Sequence, residues 1–388
     1  MITATRMDNS PIDVPRGLTN VIVTETELGE VRGQEGFYNY RQYSATDLAR
    51  TRSVEDVWHL LLNGHLPNAT EQNLFRREIS IAGELSRETT AALPAIAAAT
   101  LHADALAGLR AALALEGGRL ALAPLYDLDH HQRRTDVISL AAKAPTIIAA
   151  LHRLRKGLRP VVARPELGYV ANYLYMIHGE EPEPKLVRAL SAYLVAAIDH
   201  GFNASTFTAR VIASTGADAA SCLVGALGAL SGPLHGGAPS RALDTLDAIG
   251  TPENIDAWVT DQLTSGRRIM GFGHPVYRTE DPRSALMKEI ALTFGGPRVQ
   301  FAVHVEERVP ALLEQFKPGR ELHTNLEWYA AIVMEACGLE RALFTPTFAA
   351  ARILGWTANI LEQATDPKII RPSARYIGPQ APQPVPTE

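Results

Sequence analysis

A glycine- and proline-rich stretch from Ile269 to Arg283 concentrates side chains that could do chemistry. Gly271 and Gly273, followed by Pro275 and Pro282, cannot all sit inside one helix, so the stretch reads as a loop whose backbone can pass close to something bulky. It offers one imidazole, His274, and two guanidiniums, Arg278 and Arg283. An imidazole is a donor or general acid near neutral pH, while a guanidinium keeps its charge and clamps carboxylate or phosphate through paired hydrogen bonds; together they suit an anionic substrate. A solvated turn would explain such a motif standing alone. Two further histidines at glycine-marked chain breaks argue for more: His235 within Gly232 to Gly237, and His200 within Asp199 to Ser205.

To these three histidines the sequence adds an acid at a helix N-terminus, Glu327 after Asn325 and Leu326, and arginines at 278, 283, 352 and 371. A carboxylate beside neutral imidazole donors can abstract a weakly acidic proton next to a carbonyl, and the imidazoles then stabilise the enolate oxygen. Several arginines would bind a substrate with more than one carboxylate. The reaction class is carbon-carbon bond formation or cleavage with a keto-diacid. Other chemistries lack their patterns: there is no phosphate-binding loop signature, no Gly-x-Ser-x-Gly elbow and no His-Glu-x-x-His zinc helix. Gly271 and Gly273 lack a third glycine and a preceding strand, so a dinucleotide fingerprint is unsupported too. No metal is expected.

The elements that must position these groups read as helices. With 388 residues, 46% hydrophobic and 20% charged, the chain is long enough for two domains with large cores. A net charge of -5 with scattered signs offers no nucleic-acid-binding face. Cys222 and Cys337 lie far apart in apolar surroundings and read as reduced, buried hydrophobes. No signal core and no apolar run near the 18 or so residues of a membrane span is apparent, so no membrane is expected and the cytoplasm is the expected address.

Asn20 to Thr26 alternates and is β-branched, which predicts a strand, with a second extended stretch near Tyr38 to Tyr40. Helical periodicity then predicts helices over 70–86, 101–116, 133–156, 166–178 and 184–199, with Gly117-Gly118 among the breakers. Further helices are predicted over 205–214, 219–231, 252–265, 284–293, 299–316, 329–337 and 344–364, and another after Gly237. The tail from Pro379 lacks a packing pattern and reads as disordered or draped over a neighbour.

The segments Gly232 to Gly237, Gly271 to His274 with Arg278, and Asp281-Pro282-Arg283 resemble the citrate synthase family, which includes 2-methylcitrate synthases. Gly179 to Pro182, His200 to Ser205, Phe344 to Pro346, Ala351-Arg352 and Arg371-Pro372 extend the resemblance over most of the chain, in order. It implies an all-α, two-domain fold with minor N-terminal β structure: a large domain from 1–223 and 335–388, and a small domain from 224–334. It implies that His235 holds the thioester carbonyl of an acyl-CoA, that His274 polarises the ketone of oxaloacetate, and that His200 helps hold that substrate. Arg283 and Arg352 would clamp its carboxylates, and Arg371 would reach into the partner's site in a homodimer. Arg278, with the backbone of Ile269, Gly271 and Gly273, would contact coenzyme A; Asn203 and Ser205 would brace the histidines. Arg267, Arg268, Lys317 and Arg320 could meet coenzyme phosphates, although a solvated face explains them more simply. No cofactor is permanently bound, because the coenzyme A thioester is a substrate. The expected product is citrate from acetyl-CoA; the alternatives are 2-methylcitrate from propionyl-CoA, or a catalytically weak homologue kept for binding or regulation.

One departure stands out. Many members have Asn-Val-Asp before an aromatic residue, where this chain has Asn325-Leu326-Glu327-Trp328, so the resemblance implies Glu327 as the catalytic base. The extra methylene moves the oxygens by about an ångström, and misplacement of that size can cost on the order of a hundredfold in rate unless the helix is set back. Ala238 to Arg241 also differs from the commoner Ala-Asn-Glu and leaves the role of Arg241 open.

Overall fold

The computed structural model describes residues 11 to 386 apart from Gly237, Pro275, Lys317 and Arg320, and does not describe the side chains of residues 238 to 240. The chain opens with a three-stranded antiparallel sheet of β1 (Val31–Arg32), β2 (Phe37–Tyr40) and β3 (Tyr43–Ser44) in that order. Alternation on β2 turns Tyr38 and Tyr40 inward. The stretch from Val21 to Thr26, predicted as a strand, pairs with no other strand among the described residues. Its β-branched alternation needs a sheet edge to be satisfied. Instead the chain is pinned by a carboxylate: Glu362 accepts from Thr26 Oγ1 (2.7 Å) and from the Glu27 backbone (2.8 Å).

Everything after the sheet is helical. Helices α1 (Ala45–Thr51), α2 (Val54–Asn63), α3 (Ala69–Ala82) and α4 (Arg87–Ala99) come first. Reciprocal caps start two of them, Ser53 with Asp56 on α2 and Asn68 with Glu71 on α3. Helix α4 went unpredicted, because its threonines and internal Pro94 weaken the helical signal. Then follow α5 (Ala107–Arg119), α6 (His130–Ala141), α7 (Ala144–Arg155), α8 (Tyr169–His178) and α9 (Pro184–Ala197). Gly117 and Gly118 do not break the chain but lie inside α5. A Cβ at Gly117 would come within 2.4 Å of the Ala220 Cβ, so this glycine serves a close helix contact. The single helix predicted over 133–156 is two, divided at Ala142 and Lys143. By length and apolarity His130–Arg155 could pass for a membrane span, yet 72% of its most apolar window is buried inside the fold.

The second half contains α10 (Ala204–Ser214), α11 (Ala219–Leu230), α12 (Ala238–Ile249) and α13 (Ile255–Thr264). It ends with α14 (Pro282–Phe294), α15 (Pro297–Phe316), α16 (Leu326–Ala336) and α17 (Phe344–Gln363). Helix α17 is buried on nearly every side, which marks it as the central helix against which α9, α10 and α11 pack. Trp58 on α2 donates to Thr357 Oγ1 (2.9 Å) in its interior. Tyr38 donates to the Ala196 carbonyl (3.1 Å) and Tyr40 to that of Val195 (2.8 Å), so the small sheet satisfies carbonyls at the C-terminus of α9. His200 follows three residues after α9 ends.

At the crossing of α17 and the end of α9, a Cβ on Gly355 would stand 2.0 Å from the Ile198 carbonyl oxygen. Gly355→Ala must therefore push the two elements apart. The expected cost is about 1–3 kcal/mol in denaturant unfolding, and the displaced segment leads directly into His200.

Candidate active site

Left-handed glycines and a cross-chain zipper build the His274 loop. Gly271 and Gly273 have φ of 90° and 82°, and a Cβ on Gly271 would lie 2.4 Å from the Trp328 ring. The loop lies along the segment that leads into α16. Gly273 N donates to His323 O (2.8 Å), Asn325 N to Gly271 O (2.9 Å) and Asn325 Nδ2 to Gly273 O (3.0 Å). Asn325 also caps α16, its Oδ1 accepting from Glu327 N (3.1 Å). The loop and the helix that carries Glu327 thus form one piece of structure.

Asp281 ties that piece to the arginine. Its buried carboxylate accepts from Arg283 Nε (3.0 Å) and Nη2 (2.8 Å), and from Leu326 N (3.2 Å) in the first turn of α16. Burial alone would raise this carboxyl, but the Arg283 guanidinium outweighs it and holds Asp281 below its usual range. Sequence reasoning included Asp281 in a motif and gave it no role. The Asp-Pro-Arg signal was present, but its reach to α16 is a tertiary fact.

The three imidazoles are neutral. Burial, then the charge of Arg283, pushes His274 down to about 4; burial, then Arg352, does the same to His235. His200 is lowered well below its ordinary value, again by burial first and then by Arg283 and Arg352. Backbone donors fix the protons. Val276 N (3.0 Å) and Tyr277 N (3.2 Å) both donate to His274 Nδ1, so its proton sits on Nε2, 3.1 Å from Arg283 Nη2. Two donors facing one another are satisfied by an acceptor that both can reach.

For His235, Ser205 N points at Nε2 (3.3 Å) and Ser205 Oγ lies 2.8 Å away. The Ser205 hydroxyl is equally close to Asn203 Oδ1 (2.8 Å), which also accepts from Ser205 N (3.2 Å) and Thr206 N (3.1 Å); the Ser205 backbone N–H can only donate, and its approach to Nε2 places the imidazole proton on Nδ1. His200 pairs with Tyr277 Oη (2.9 Å), and its ring lies edge-on to His274 with centroids 5.5 Å apart. Tyr277 and Tyr38, which packs on His200, were not foreseen, since nothing in their spacing signals the contact.

Glu327 is the counterpart of Asp281. Its Oε2 is buried without a hydrogen-bond partner, and burial raises the carboxyl to about 7 although Arg283 and Arg352 pull the other way. Arg352 is buried, with Nε on the Ala197 carbonyl (2.6 Å). Glu327 and His235 share no hydrogen bond; both feel the charge of Arg352. Beside the His274 loop lies a cleft of about 940 Å³, lined by Leu234, Arg267, Arg268, Ile269 to His274, Arg278 and Asn325 among others. Lys317 and Arg320 lie outside the described residues. Arg371 is exposed after α17. His59, His65 and Glu71 are grouped as metal ligands might be, but His65 Nε2 and Glu71 Oε1 are already paired (3.1 Å) and Glu71 Oε2 caps Asn68 N (2.8 Å).

The family model described as citrate synthase, C-terminal domain, matches residues 17–373. Citrate synthase 2 of Bacillus subtilis is 35% identical over 378 residues, covering 96% of this chain and 98% of its own. The 2-methylcitrate synthase of Mycobacterium tuberculosis is 36% identical over 377 residues, 97% of this chain and 93% of its own. Among solved structures, citrate synthase of Thermoplasma acidophilum in ternary complex with carboxymethyl coenzyme A and oxaloacetate matches at TM-score 0.88 and 27% identity, covering 96% of this chain and 98% of that one. Fold and likenesses together define a helical condensing enzyme. The chain belongs to the citrate synthase family.

A carboxyl raised from 4.5 to about 7 in the folded chain weakens folding as pH climbs above its unfolded value, and the penalty is complete above the folded one. Glu327→Gln is therefore expected to stabilise the protein at pH 8 by about 3 kcal/mol. The gain should shrink toward zero below pH 4.5, as read from urea unfolding at several pH values.

Proposed function

We propose that this enzyme condenses an acyl-CoA thioester with oxaloacetate and hydrolyses the product thioester to a tricarboxylate and free coenzyme A. The observation that carries this reading is a buried acid poised near neutrality that shares the charges of Arg283 and Arg352 with neutral imidazoles whose N–H directions the backbone sets. Glu327 takes a proton from the carbon next to the thioester carbonyl. His235 Nδ1–H holds the carbonyl oxygen as negative charge develops, and a neutral donor stabilises it without having to give up its proton. His274 Nε2–H and Arg283 Nη2 converge on the acceptor ketone, which makes its carbon electrophilic toward the enol. Arg283 and Arg352, with His200, hold the oxaloacetate carboxylates, and Asn203 and Ser205 orient His235. Arg278 and the backbone of Ile269, Gly271 and Gly273 face the cleft that suits coenzyme A.

With a large lobe from 1–223 and 335–388 and a small one from 224–334, closure of the cleft between them would exclude water until the carbon-carbon bond has formed. Arg371, exposed in one chain, completes the site of a second copy, so the working unit is a homodimer. We place the enzyme in the cytoplasm, feeding the tricarboxylic acid cycle, with acetyl-CoA as donor. Relatives named for citrate and for 2-methylcitrate stand at like identity, and a methylene in an apolar pocket is worth only about 1–3 kcal/mol.

Free-thiol release that depends on oxaloacetate, measured with acetyl-CoA and with propionyl-CoA, should be faster with acetyl-CoA; no release with either would leave a binding protein. Glu327→Gln should reduce turnover by a factor on the order of a thousand while oxaloacetate still binds, as the removal of a general base does. Equimolar Glu327→Gln and Arg371→Ala chains, each inactive alone, should regain about a quarter of the wild-type rate when mixed, because half the dimers then carry one intact site.

A further inference from the structure

Tyr193 stands out among the buried polar groups that the mechanism above does not use. It lies on α9, is fully buried, and its hydroxyl has no hydrogen-bond partner. An unpaired buried hydroxyl carries an uncompensated desolvation cost, which a hydrogen bond to a nearby acceptor would offset. Glu327 Oε2 is buried and unpartnered in the same way. Their helices touch: α9 packs against both α16, which carries Glu327, and α17, which carries Arg352. The charge nearest in effect to the Tyr193 hydroxyl is that of Glu327, followed by Arg352 and Arg283. The hydroxyl's own ionisation is pushed far above neutrality, by burial first and then by Glu327, so at working pH it is a donor only.

We propose that Tyr193 is a positioning residue for the reaction: its hydroxyl donates to Glu327 Oε2, directly on cleft closure or through one water, and leaves Oε1 to take the proton. This rests on Glu327 being the base. A glutamate has one more rotatable bond than the aspartate common in the family, so its carboxylate needs a fixed partner to hold one rotamer. Asn325 fixes only the backbone of Glu327, and among the described residues no side chain hydrogen-bonds its Oε2. The Tyr193 hydroxyl comes from a different helix and can supply that hold.

The test is Tyr193→Phe in the full-length enzyme, a change that removes one oxygen and keeps the ring in its buried site. The expected result is a fall in kcat of about tenfold, the worth of one hydrogen bond to a charged group, with the KM for oxaloacetate unchanged. Loss of a donor to the carboxylate also raises the pKa of Glu327, so the acid limb of the kcat profile moves to higher pH. A merely structural role for Tyr193 would lower the unfolding midpoint and leave that limb where it was. An unchanged kcat and limb, or a loss confined to the oxaloacetate KM, overturns the proposal. In the Glu327→Gln background, Tyr193→Phe should cost nothing further. Glu327→Gln retaining the wild-type rate would remove the base itself, an outcome distinct from failure of Tyr193→Phe alone.

Discussion

The Asp281 carboxylate, buried and held by Arg283 and by the first turn of α16, is the interaction on which the rest of the site depends. A buried ion pair persists only when the remaining donors and acceptors around it are satisfied, since desolvation of both partners must be offset. Here one side of the guanidinium is occupied, and the carboxylate's second oxygen also takes a backbone N–H from the helix that presents Glu327. Arg283 and Glu327, proposed above as substrate clamp and base, are thereby tied to one piece of structure. Burial keeps His274 neutral, and the charge of the same arginine adds to that effect.

Two carboxylates therefore share a neighbourhood and are driven apart in acidity. Asp281 is paired and stays ionised; Glu327 is unpaired and is pushed toward neutrality. Groups whose environments separate their pKa values in this way divide the labour of structure and proton transfer. The imidazoles are lowered in turn by burial and by the arginines, and donate hydrogen bonds as neutral groups. In a site shielded from water such preoriented donors act with little reorganisation.

The scaffold accomplishes this with few means. A helix buried on nearly all sides, α17, supplies Arg352 and a glycine that lets the end of α9 approach to van der Waals limits. Two tyrosines from a short sheet, distant in sequence, close the carbonyls at that end, and one of them, Tyr38, packs beside His200. The N-terminal sheet and Gly117, expected as a break in the helix, turn out to be contact devices. The β-branched run at 20–26 had the right residues for a strand but no edge to join, and it settled on Glu362 instead.

What the sequence by itself determined is the helical architecture with its caps and most of its breaks, and the residue types of the site: the glycine-framed histidines, the Asp-Pro-Arg turn, the acid after Asn325 and the arginines. These are local signals, carried by periodicity, by φ-permissive glycines and by the order of motifs along the chain. Only the tertiary structure decided which nitrogen of His235 and of His274 bears its proton, that Asp281 joins Arg283 to the Glu327 helix, and that Tyr38 and Tyr277 stand against His200. Each of those depends on groups from separate elements sharing a water-poor space, where direction and burial fix their states, and no spacing along a chain records which distant residues will meet there.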